Sequence, residues 1–187
     1  MIATTLKKIQ ENEHSQELYE KLRSRLGWDF PKDEPLPFAW ILGVLGLEDT
    51  LWLCHLEPQH DRVWRAFAIW AAKQETPAMR DRKSEQVIQT AEQYLLGQID
   101  EEALYRFRTK AESWPVSEAL RCLLYPDALV AHEVVVRLLR RKEYDEYGQK
   151  TWIRFFFERT FLRLLSKEDH RDPSGTSTHA KVCGIPS

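Results

Sequence analysis

The chain has 187 residues, 43% of them hydrophobic and 30% charged, with a formal net charge of −2. That length supports one domain with its own core, and the composition is globular rather than disordered. No apolar run reaches the roughly eighteen residues of a transmembrane helix, and the polar start MIATTLKKIQENEHSQ lacks the apolar stretch of a signal peptide.

A cytoplasmic location is therefore expected. Cys54, Cys122 and Cys183 agree with a reducing compartment, being unevenly spaced and without a CxxC pair. Few glycines and many Leu, Ala, Glu, Arg and Gln residues favour helix throughout. The expected class is all-α: about seven helices in one domain over 1–166, then a flexible polar tail over 167–187.

In chain order, Leu6, Ile9, Leu18, Leu22 and Leu26 predict a first helix over about 5–26, stopped by Gly27. The prolines of WDFPKDEPLPF predict a loop, with Trp28, Phe30 and Phe38 folded back onto the core. AWILGVLG predicts a short buried helix interrupted at Gly43 and Gly46, and LEDTLWLCHLE another that ends before Pro58. Asp61 is the expected N-cap of RVWRAFAIWAAKQ, whose stripe is Val63, Phe67 and Trp70. Ser84 is the expected cap of EQVIQTAEQYLLG, with Gly97 at its end. Asp100 opens EEALYRFRTKAES, whose stripe is Leu104, Phe107 and Ala111.

VSEALRCLL follows Pro115 as a shorter element. In DALVAHEVVVRLLRRK three consecutive valines compete for strand, but Ala131, Val134, Val135, Leu138 and Leu139 favour helix. The last helix, about 149–166, carries Ile153, Phe156, Phe157, Phe161, Leu164 and Leu165 and is apolar over much of its circumference. Such a helix is buried centrally or packs on a partner, which leaves homodimerisation through it open.

No nucleophile elbow, phosphate loop or dinucleotide fingerprint is present, so no catalytic residue and no cofactor are assigned. His55, Glu57 and His60 offer metal-ligand chemistry, but Pro58 breaks the helix between the histidines. His132-Glu133 begins an HExxH pattern that fails at Val136. No metal site is assigned on either ground.

Two surfaces remain as candidates. Trp64, Arg65, Trp152 and Arg159 are read at helix edges, and Trp and Arg dominate protein interface anchors. Arg137, Arg140, Arg141, Lys142 and Lys150, with Tyr144 and Tyr147 between them, are the nucleic-acid alternative within the basic stretch 137–163. Against it, helix dipoles favour arginines at a C-terminus, and Glu143, Asp145 and Glu146 reduce the local field.

Asp49, Leu51, Trp52, Asp61, Arg62, Arg65, Phe67 and Ala68, with Ala91, Tyr94, Gly97 and the acidic start 100–102, form one further pattern. Over about 45–112 it resembles a loose family of small helical proteins of phage genomes and bacterial toxin–immunity clusters, some labelled immunity proteins. The resemblance carries no catalytic residue. It implies a small intracellular protein, of phage or bacterial origin, that acts by binding another protein.

Overall fold

The structure is a computed structural model. It describes residues 2–74, 81–126, 129–142 and 150–168, without the side chains of 140–142, 150–156 and 167–168. Ten α-helices occur among these residues, so the all-α expectation holds, with more and shorter pieces than periodicity suggests.

The N-terminal region contains the first surprise. Strand β1 (Ala3–Thr5) pairs antiparallel with β2 (Pro35–Pro37), placing Ala3 opposite Pro37 and Thr5 opposite Pro35. Two short strands tolerate prolines because each has an outer edge that needs no donor. The expected single first helix is two, α1 (Leu6–Glu11) and α2 (Gln16–Leu26), separated by a 3-10 turn over Glu13–Ser15. Asn12 makes the break. Its side-chain oxygen accepts from the His14 N–H at 3.1 Å and the Ser15 hydroxyl at 2.9 Å, giving the backbone an alternative to helix.

The proline-rich loop only partly folds back. Phe38 is fully buried and Phe30 packs on the core, but Trp28 is 72% exposed, correcting its expected inward position. Arg23 explains this: its guanidinium donates to the Trp28 and Phe30 carbonyls and lies 5.5 Å from the Trp28 ring centroid.

Helix α3 (Phe38–Leu45) runs through Gly43 without a break and ends at Gly46, whose φ of 81° suits glycine. Next come α4 (Leu47–Leu53), two 3-10 turns over Cys54–Leu56 and Pro58–His60, and α5 (Asp61–Lys73). Asp61 is the first helical residue of α5 rather than its cap, because its carboxylate is turned onto Arg65 at 3.4 Å. Likewise Asp81, not Ser84, caps α6 (Arg82–Leu95): its carboxylate accepts from the Ser84 N–H at 2.8 Å. Asp100 caps α7 (Glu101–Ala111) as expected, accepting from Ala103 N–H at 2.8 Å. Helices α8 (Glu118–Cys122), α9 (Val130–Lys142) and α10 (Lys150–Glu168) complete the described chain, and the three valines are helical.

Helix α5, not the last helix, is the centre of the fold. It packs against α6, α9 and α10, and every residue from Val63 to Ala72 except Ala66 is buried. Trp64 lies 5.2 Å from Phe38 and 5.9 Å from Phe161, ring centroid to centroid; Phe67 lies 5.0 Å from Phe161 and 6.3 Å from Phe157. Each such fully buried ring contributes about 1.5–3 kcal/mol through area removed from water. Helix α10 covers this centre with Phe157, Phe161 and Leu165 and leaves Arg159, Leu162 and Arg163 outward.

Candidate functional site

Of the four residues read as protein anchors, two are inside the fold. Trp64 is fully buried and its indole N–H donates to the Glu57 carbonyl at 3.2 Å. Arg65 is 1% exposed and reaches the Tyr125 carbonyl at 2.9 Å and the Leu123 carbonyl at 3.5 Å. Its guanidinium carbon sits 4.8 Å from the Tyr94 ring centroid. Both had been placed at a helix edge; burial on nearly all sides of α5 corrects that. Arg159 is exposed on α10, whereas the Trp152 side chain falls outside those described.

The basic set is less available than its composition suggests. Arg137 donates to the Glu133 carboxylate and to the Glu133 carbonyl at 3.2 Å, so its charge is partly spent one turn away. Arg140, Arg141 and Lys142 form the last turn of α9 and Lys150 starts α10, their side chains lying outside those described. Tyr144 and Tyr147 lie outside the described residues.

The histidine-rich segments fold into structural roles. Glu57 is buried, and Lys8 Nζ lies 2.8 Å from both of its carboxylate oxygens. Burial pushes the Glu57 carboxyl up, but hydrogen bonds from Lys8 and Gln59 with the Lys8 charge outweigh it, leaving it below its ordinary value. His55 approaches the Asn12 amide at 3.0 Å and the Trp52 carbonyl. His55 and His132 both meet the Trp52 ring edge-to-face, at 5.2 and 5.3 Å. Cys54 is fully buried, which pushes its thiol up and makes it inert, and Cys122 is buried too.

The lowered Glu57 carboxyl gives a pH prediction. A carboxylate with a depressed folded pKa adds stability above its ordinary value near 4.5, and loses it as pH falls through the folded value. Glu57→Gln is expected to cost about 1–2 kcal/mol at pH 7. Lys8 is half exposed, so solvent screening limits the effect. In urea unfolding the gap between the two proteins should narrow from pH 6 to pH 3.5; a constant gap would show that the pair is energetically silent.

A different cluster lies at the surface, away from the core contacts of α5. Tyr105, on α7, is 58% exposed, and Tyr125, in the turn after α8, is 41% exposed. Between these segments Arg108 rests its guanidinium carbon 4.9 Å from each tyrosine ring centroid. Tyr105 and Arg108 are three apart on a helix, hence neighbours on its surface. Tyr125 is delivered from elsewhere, and the buried Arg65 holds its backbone carbonyl from within. On the other flank of α7, Lys83 and Lys110 lie 5.5 and 5.9 Å from the Trp114 ring centroid.

Comparison with known protein families, characterised proteins and solved structures finds no match. The site is therefore argued from its own chemistry. Sequence reasoning missed all three residues; the one available signal for Tyr105 and Arg108 is that they lie three apart and off the Leu104, Phe107 and Ala111 stripe. Tyr125 carried no such signal, because its neighbours in space are about twenty residues away in sequence.

Proposed function

We propose that this chain is a non-enzymatic protein-binding module of the cytoplasm that acts by covering a site on a partner. The observation that carries this reading is the pair of exposed rings Tyr105 and Tyr125 with the half-buried Arg108 between them. Tyr and Arg are among the residues that concentrate binding energy at interfaces. Stacking restrains both rings and the guanidinium before any partner arrives, which lowers the entropy lost on binding. The resemblance to phage and immunity-type helical proteins points the same way and suggests a blocking role.

The test is an affinity capture from lysate of the encoding cell, with and without nuclease, comparing the native chain with Tyr105→Ala/Tyr125→Ala. The expected result is one protein recovered in near-stoichiometric amount, indifferent to nuclease and lost with the double variant. Recovery of nucleic acid, or capture that ignores both tyrosines, overturns the assignment. Loss of helical circular dichroism in the variant would redirect the test to Tyr105→Ala alone, whose exposed ring the core does not use.

A further inference from the structure

Asn12, Ser15, Trp52 and His55 close a ring of hydrogen bonds between the turn that separates α1 from α2 and the end of α4. The Trp52 indole N–H donates to the Ser15 hydroxyl at 3.3 Å, and that hydroxyl donates to Asn12 Oδ1 at 2.9 Å. Asn12 Nδ2 lies 3.0 Å from His55 Nε2, and His55 Nδ1 meets the Trp52 carbonyl. The backbone decides how the protons are placed. The His14 N–H donates to Asn12 Oδ1 at 3.1 Å, so the amide cannot be turned round and its NH2 group faces the imidazole. A carbonyl can only accept, so His55 carries its proton on Nδ1 and leaves Nε2 to accept from Asn12. The circuit is complete only for the neutral ring. A protonated ring sets an Nε2–H against the Asn12 NH2, donor against donor.

The charged groups around His55 are engaged elsewhere or face solvent. Glu57, two residues on, is held by Lys8 of α1 at 2.8 Å and by Gln59. Across the Trp52 ring, His132 of α9 lies 3.4 Å from Glu133, whose carboxylate also receives Arg137. Glu11, Glu13 and His14, beside Asn12, are exposed. Among the described residues no carboxylate pairs with the His55 ring.

We propose that this ring of hydrogen bonds is a pH-sensitive latch, which protonation of His55 opens, releasing the Asn12 turn from the end of α4. His55 and Trp52 are half-buried, so a proton reaches the imidazole without unfolding the core. The Lys8–Glu57 pair keeps α1 attached, which confines the change to the turn and to Trp52. The latch does not depend on what Tyr105 and Tyr125 meet.

The experiment follows the full chain by NMR from about pH 7.5 to pH 5. At the upper end the nitrogen shifts of His55 should place its proton on Nδ1. On acidification the Asn12 NH2 and Trp52 indole N–H signals should move with the His55 ring along one titration curve. His132→Gln should leave that response in place, while His55→Gln should abolish it. Asn12→Asp reverses the sign. Its carboxylate still accepts from His14 and Ser15, and turns an oxygen toward Nε2 that suits the protonated ring. From about pH 7.5 to pH 5.5 its folding equilibrium constant should rise about tenfold relative to that of the native chain.

A proton on Nε2 at pH 7.5 overturns the proposal, as do Asn12 and Trp52 signals that ignore the His55 titration. An Asn12→Asp chain whose relative stability does not rise with acid overturns it too. A response lost with His132→Gln and kept with His55→Gln moves the switch to His132. Should Asn12→Asp fail to fold, the native titration decides alone.

Discussion

Replacing Arg65 with methionine is expected to cost about 3 kcal/mol of folding stability, a large share of the total of a domain this size. Arg65 is 1% exposed, and among the described residues its guanidinium faces the Asp61 carboxylate, the Leu123 and Tyr125 carbonyls and the Tyr94 ring. Methionine fills similar volume, so the loss is not mainly a cavity. It arises because carbonyls shielded from water lose their donor, at about 1–3 kcal/mol for each one left unsatisfied. Arg65→Lys should recover less than half, since one ammonium on a flexible stem cannot reproduce the fork or the ring contact. Urea unfolding monitored by tryptophan fluorescence measures both. A cost under about 1 kcal/mol for methionine would mean that the α5 to α8 connection is held by its apolar contacts alone. Arg65 also bears on the proposed surface at one remove. The carbonyl it grips belongs to Tyr125, so its loss should speed hydrogen exchange at 123–125 and loosen the ring from Arg108.

Arg65 marks the limit of what periodicity reveals. The helical spacing of Val63, Phe67 and Trp70 identified α5 correctly, and Leu104, Phe107 and Ala111 did the same for α7. What spacing cannot tell is how many sides of a helix are covered. An arginine beside a stripe reads as surface, and becomes a core residue only when acceptors arrive from another segment, here about sixty residues on. The caps erred for a related reason. Asp61 and Ser84 had the right chemistry, but an i,i+4 partner claimed the first, and Asp81, three residues earlier, was better placed than the second. The pairing of β1 and β2 left no trace in sequence, since three-residue strands carry too few positions for alternation to register. The candidate surface was missed for the same reason: Tyr105 and Arg108 share one helix, but only the tertiary fold brings Tyr125 to them.

Phe161→Ala is expected to be the most damaging single substitution on α10, at about 3–5 kcal/mol. Phe161 is fully buried, its ring 5.0 Å from Phe67 and 5.9 Å from Trp64 by centroid, so truncation opens a void where three aromatic side chains meet. The loss also weakens the seal that α10 makes over α5, and fluorescence of Trp64 should report it early in a urea titration. On the opposite face Leu162→Glu should stay within about 0.5 kcal/mol, because that side chain already faces outward. The pair of variants also tests homodimerisation through this helix. If the apolar face of α10 is satisfied by its own α5, the unfolding midpoint of Phe161→Ala and of the native chain will not depend on protein concentration. If a second copy supplies that contact, both midpoints will rise with concentration, as linkage requires. Sensitivity of the native oligomeric state to Leu162→Glu would then place the dimer contact on the outward face, with the inward phenylalanines left to the core.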